Sequence, residues 1–191
     1  MRTETNKSGY VRVWLETENR QNLLEYYADD PIKQVAMRLM LEAGLRSEEV
    51  PRVTANDLRP ADDGNFTRLK IRTAKKGRRE TVVPDSLAQQ IRTVSNIQDG
   101  GVVVNVTPRT IRNWVYAAAE YLHKETGEPD WADVSPHDLR RSWATSLIQQ
   151  GVPESNVMSW GGWENYETFR EHYFEESDEQ IERQLQGVSG F

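Results

Sequence analysis

His137-Asp138-Leu139-Arg140 sets an imidazole and a guanidinium three residues apart, and therefore on one face of a helix. Tyr173 follows Arg140 by 33 residues, in Glu171-His172-Tyr173-Phe174, and Trp163 stands between them behind Gly161-Gly162. Nearer the front come Gly44-Leu45-Arg46-Ser47-Glu48-Glu49 and Lys75-Lys76-Gly77-Arg78-Arg79. Two arginines, a lysine, a histidine and a tyrosine can together hold a phosphodiester and attack it without a metal ion. Breaking that bond needs charge stabilisation on two non-bridging oxygens, an in-line nucleophile and a proton for the leaving 5′ oxygen. Arg46 and Arg140 suit the first task, because a planar guanidinium fork matches two phosphate oxygens and stays protonated. Tyr173 is the candidate nucleophile, its phenolate favoured by neighbouring guanidiniums. Tyr166 is the nearest competitor, only three residues past Trp163. Lys76, in a basic turn, can protonate the leaving oxygen, with Lys75 as the competing assignment. His137 can donate or accept at the phosphate, and the Trp163 indole N–H can donate while its ring packs.

These groups need elements to position them. Asp30-Pro31 predicts a helix start, Gly44 its stop, and Ile32, Val35, Ala36, Leu39 and Met40 recur between them at three- and four-residue steps. Arg46 therefore falls just past a helix end. A helix over 16–27 precedes this one, and a short one runs from Ser47 toward Val53. Period-two character over 65–73 and 80–83 flanks the Lys-Lys-Gly-Arg-Arg turn, predicting a β-hairpin after a short strand near 57–59. Further helices are expected from Pro84-Asp85-Ser86 to about Ile97 and from Thr107-Pro108 to about Glu125. Ser135-Pro136 opens the next, with Asp138 where a capping-box acid belongs, so His137 and Arg140 share its first turn. Short helices over 153–160 and 164–174 complete the set, and Val11 to Leu15 is a short extended lead-in. The expected class is mainly α with a small antiparallel sheet. Its parts are a lead-in over 1–14, a body over 15–175 and an acidic tail over 176–191.

At 191 residues one domain of good size is expected. There are no cysteines, which excludes disulfides and thiolate metal sites, and no apolar run approaches a membrane span. The polar N-terminus lacks a secretory segment, so a cytoplasmic location is the default. Net charge is −6, but its distribution is uneven: residues 1–63 carry −3, residues 64–125 carry +6, and residues 126–191 carry −9. Local field steers a polyanion, and seven basic residues with no acid lie between Arg68 and Arg79. Lys75, Arg78 and Arg79 are therefore expected to face DNA, as are Arg109 and Arg112 on the leading turn of the Pro108 helix. With 18 Arg, 6 Lys and many acids, the composition also suggests adaptation to high salt.

In this combination the chain resembles the tyrosine recombinase, or phage integrase, family over about residues 15–175. The family pattern is an early Arg with an acid three positions later, a hairpin Lys, His-x-x-Arg, then His or Trp, then Tyr. Arg46 with Glu49, Lys76, His137 with Arg140, Trp163 and Tyr173 match it in order. Each motif alone is weak, but jointly they are specific. The stretch from Trp163 to Tyr173 is one residue longer than is common in the family, a turn of roughly 100° if helical. Members usually carry a further N-terminal domain, whereas this chain starts almost directly at the catalytic one. The resemblance implies the recombinase catalytic fold and cleavage of double-stranded DNA through a 3′-phosphotyrosyl link, with no metal or other cofactor. It gives Glu49 a buttressing role on Arg46 or His137 and implies self-association on DNA as a tetrameric synapse. It also implies docking of the Ile181-Leu185-Val188 stripe on a neighbouring protomer. A type IB topoisomerase uses the same side-chain logic, and a DNA-binding module that has lost catalysis is the reading from a different class.

Overall fold

The computed structural model describes residues 1–5, 8–61, 66–73 and 77–173, with the backbone alone for 73, 77, 78 and 171–173. At its centre lies helix α2 (Pro31–Ala43), seven of whose residues are buried. Asp30 caps it by accepting from the Lys33 N–H at 3.0 Å, and Pro31 occupies the first turn. Gly44 ends it at φ 65°, and the Leu45 N–H bonds back to the Leu39 carbonyl at 3.0 Å. A side chain at 44 is also excluded by contact, since a Cβ there would lie 2.3 Å from the Trp143 ring. The residues expected to follow as a short helix make a turn and then a 3₁₀ segment over Val50–Arg52, led by Pro51.

Around α2 pack α1 (Thr17–Glu25), α3 (Asp85–Ile97), α4 (Pro108–Thr126) and α5 (Pro136–Gln149), which with β4 and β5 build the main core. The three-stranded sheet runs β3 (Leu58–Pro60), β4 (Thr67–Thr73), β5 (Gly77–Val83), antiparallel throughout. Leu69 and Ile71 point inward from β4, opposite Thr81 and Arg79 of β5. A second, smaller cluster holds Trp143 and Ala144 of α5, Val157 of α6 (Glu154–Gly161) and Phe169 of α7 (Tyr166–Tyr173). The mainly helical architecture with small antiparallel sheets is thus as expected.

The expected lead-in is more than an extended strand. Residues Arg2–Thr5 (β1) pair antiparallel with Val11–Trp14 (β2), and β2 is fastened to α5. The Val13 N–H donates to Asp138 Oδ1 at 3.1 Å and the Leu15 N–H to Ser142 Oγ at 2.7 Å. Val13, Trp14 and Leu15 are buried. No helix among the described residues is long and apolar enough to cross a membrane.

Candidate active site

α5 begins where the sequence places it. Asp138, fully buried, reaches back to the Ser135 N–H at 2.8 Å and to its hydroxyl at 2.5 Å. Its other oxygen accepts from the Val13 N–H and from Arg141 Nη1. This fixes the helix phase, leaving His137 exposed in the first turn and turning Arg140 inward.

Arg140 is 1 % exposed. Its Nη1 donates to the Gly44 carbonyl and its Nη2 to the Gly161 carbonyl at 2.6 Å, so it ties the end of α2 to the end of α6. Its guanidinium lies 4.0 Å from the centroid of the Trp163 ring. Trp163 stacks on Trp143 at 6.2 Å and meets Phe169 at 5.1 Å. The Gly161-Gly162 pair is what admits this ring, since a Cβ on Gly161 would lie 1.9 Å from it. The packing role read for Trp163 is therefore present.

Arg46 stands two residues past Gly44, its side chain 34 % exposed, with Nη1 donating to Glu49 Oε1 at 3.1 Å. Glu49 Oε2 accepts from the Arg46 backbone N–H at 2.8 Å and from Arg79 Nη2 at 2.7 Å. Glu49 therefore buttresses Arg46. Burial pushes its carboxyl upward, but the Arg79 charge and hydrogen bond, together with Arg46, outweigh this and hold it below the usual range. Arg79 is pushed below the ordinary guanidinium value by burial, partly offset by Glu49.

Arg79 departs from its expected position on the DNA-facing outside of the hairpin. Its side chain is 9 % exposed and points inward, because β5 alternates and residue 79 shares a face with buried Thr81 and Val83. Counting back by twos from Val83 carries that signal, which the run of basic residues conceals. Arg109 and Arg112 are exposed on the first turn of α4, which Thr107 caps by accepting from the Thr110 N–H at 3.2 Å. Lys75, Lys76 and the tail over 176–191 lie outside the described residues, as do the side chains of Arg78 and Tyr173. Tyr173 is the last residue of α7 by its backbone. Among the described residues, no group of three His, Asp or Glu side chains could hold a metal ion.

The site thus brings together Arg46, Glu49, Arg79, Arg140 and Trp163. A carboxylate, three backbone carbonyls (Gly44, Trp160 and Gly161) and an aromatic face hold the guanidiniums. The phage integrase family model matches residues 13–180, so the chain belongs to that family. It is 27 % identical over 177 residues to the tyrosine recombinase XerC of Staphylococcus haemolyticus (strain JCSC1435), covering 85 % of this chain and 57 % of that protein. The fold is that of the XerA recombinase crystal structure, with a TM-score of 0.74 at 17 % identity over 94 % of this chain and 66 % of the other. It is likewise that of the Tn1549 transposon integrase, solved in complex with transposon right end DNA. There the TM-score is 0.70 at 14 % identity, over 93 % of this chain and 66 % of that one. The chain therefore spans somewhat more than half the length of XerC and just under two thirds of these structures.

Proposed function

We propose that this chain is the catalytic part of a site-specific DNA recombinase, cutting and rejoining double-stranded DNA through a covalent bond to Tyr173. The Tyr173 phenol oxygen attacks the scissile phosphorus, and the bond from phosphorus to the 5′ oxygen breaks. The phenol gives up its proton, and Lys76 supplies one to the leaving oxygen, with Lys75 as the alternative donor. The product is a 3′-phosphotyrosyl link and a free 5′-hydroxyl. Phosphodiester energy is kept in that link, so attack by another 5′-hydroxyl reseals DNA with no external energy source. Arg46 and Arg140 neutralise the non-bridging oxygens, His137 assists at the phosphate or at the phenol proton, and the Trp163 N–H adds a donor. Glu49 orients Arg46. The reaction as written uses side chains alone.

The observation that carries this reading is the convergence of Arg46, Arg140 and Trp163 from three separate elements, with one Arg bridging two of them through Gly44 and Gly161. Surface charge alone has no need of so constrained an arrangement. The same proposal assigns residues 15–175 to the catalytic domain, the tail over 176–191 to docking on a neighbouring protomer, the assembly to a tetramer on DNA and the location to the cytoplasm. A randomised pool of duplexes each carrying one nick, which traps cleaved product, tests it on a denaturing gel. Wild type should form a covalent protein–DNA species and Tyr173→Phe none. A covalent species from Tyr173→Phe would move the nucleophile elsewhere. Truncation after Ser177 should leave cleavage intact and weaken assembly on DNA.

A further inference from the structure

Arg79 lies among the phosphate-binding candidates, and the reaction as proposed gives it no task. Three segments meet on its guanidinium. Nη2 donates to Glu49 Oε2 at 2.7 Å and to the Gly44 carbonyl at 3.3 Å, and Nη1 donates to the Trp160 carbonyl at the end of α6. Its aliphatic stem fills the space over Gly162, whose φ is 71° and whose added Cβ would lie 2.8 Å from Arg79 Cδ. Across the sheet it is in register with Ile71, which is buried. The Glu49 carboxylate is consequently divided: Oε1 holds the Arg46 guanidinium by a single contact at 3.1 Å, while Oε2 is taken by Arg79 and by the Arg46 backbone N–H.

We propose that Arg79 is a positioning residue for DNA cleavage: by holding one Glu49 oxygen, it keeps the Arg46 guanidinium from being captured by the whole carboxylate. This rests on the reading of Arg46 as a phosphate-binding group. An arginine and a carboxylate left to themselves close into a bidentate fork, which occupies the N–H groups and the charge that a phosphate needs. With Arg79 in place, Arg46 is oriented by one bond and its outer edge stays open to solvent and to DNA. Arg79 acts through Glu49 and does not itself contact the substrate. The same geometry governs the protonation of Glu49. Among the described residues, the charged groups facing it are Arg46, from the turn after α2, and Arg79, from β5; α6 contributes a carbonyl that bonds Arg79. Without Arg79, Arg46 is the one described group left to oppose the burial of Glu49.

Single-turnover formation of the covalent complex on the nicked duplex pool decides the matter, using the full chain at saturating DNA across a range of pH. Arg79→Met should slow cleavage by about 10²-fold near neutrality, leave the half-saturating DNA concentration unchanged and regain part of the rate toward acid pH, where a protonated Glu49 no longer competes for Arg46. Arg79→Lys should recover part of the rate, since it returns the charge to Glu49 but not the three-acceptor fork. Adding Glu49→Gln to Arg79→Met should also recover part of it, because a neutral amide no longer competes for Arg46. A merely structural strut predicts the opposite sign there, since the double variant loses more bonds. The proposal is overturned if Arg79→Met cleaves at the wild-type rate, or if the double variant is no faster than the single one. Should Arg79→Met fail to fold, Arg79→Lys stands in, and a wild-type rate with a flat pH profile in that variant overturns it equally. Wild type that forms no covalent complex would sink the phosphotyrosyl reading and this proposal with it.

Discussion

The two hydrophobic clusters hold different halves of the proposed site. Arg46, Glu49 and Arg79 sit just past the end of α2 and on β5, segments anchored in the main core by Leu39, Leu45 and Val83. Trp163 and α7, the helix ending in Tyr173, rest on the smaller cluster of Trp143, Ala144, Val157 and Phe169. Phe169 is the one buried residue among those α7 residues whose side chains are described. α5 crosses between the two clusters, with Leu139 in the first and Trp143 in the second. A helix held by one aromatic anchor opens locally at a smaller free-energy cost than the whole core does. The proposed phosphate-binding side thus rests on the larger core, whereas the described side chains of the helix that carries the proposed nucleophile place one residue, Phe169, in the smaller cluster.

Arg140 is the test with the largest expected effect, because it spans the seam. Arg140→Met removes donors to Gly44 and Gly161 and the cation over Trp163. Covalent-complex formation should fall by about 10²–10³, with a lower melting temperature. A melting loss with cleavage at the wild-type rate would mean that the seam is structural only. Phe169→Ala then separates the clusters. It should cost about 3–5 kcal/mol, concentrated in α7 and read as faster amide exchange there, with slower cleavage. Leu39→Ala in α2 should instead lower the melting temperature of the whole chain by a cost of about 2–5 kcal/mol. If Phe169→Ala shifts global melting as much as Leu39→Ala does, the two clusters form one cooperative unit and the contrast fails.

Glu49→Gln probes the rigid half through pH. The Glu49 carboxyl is held below its ordinary value of 4.5, so its unfolded form binds protons more readily than its folded form. Its contribution is therefore fully present above that ordinary value and is lost as pH falls through the lower, folded one. Wild type should exceed Glu49→Gln by about 1–3 kcal/mol near neutrality, converging only in acid below pH 4.5. Denaturant melts at several pH values check this, and a gap that widens in acid would contradict the sign.

Much of this was legible from local pattern. Asp30-Pro31 and Gly44 bound α2 at the residues expected, and Ser135-Pro136 with Asp138 opens α5 as expected, while the split that leaves His137 outside and Arg140 inside is visible only in the packing. Arg46 and Glu49 pair at the spacing that the sequence offers. The β1–β2 hairpin was not legible, because what fixes it is long-range: its bonds to Asp138 and Ser142 span about 125 residues, and Arg-Thr-Glu-Thr carries no apolar alternation of its own. Arg79 was misplaced for a different reason. Composition described the hairpin as uniformly basic, while strand alternation counted back from Val83 puts residue 79 on the inner face, where it packs against Glu49 and α6.

Arg109 and Arg112 belong to neither cluster, so they offer the mildest and cleanest contrast with the buried arginines. Both are exposed on the first turn of α4, within the segment of net charge +6, and neither belongs to the carboxylate-and-carbonyl cage that surrounds Arg79 and Arg140. A guanidinium in water that meets a phosphate releases condensed counterions. Each Ala substitution should therefore weaken DNA binding at low salt and reduce the slope of log affinity against log salt by about 0.9. Titrations at several salt concentrations on two unrelated duplexes distinguish the outcomes. Equal weakening on both, with the reduced slope, places the residue on the backbone. Weakening on one duplex with the slope unchanged places it on base edges in a groove. No change in either would take the basic turn of α4 off the DNA, leaving the β4–β5 hairpin as the main source of positive field.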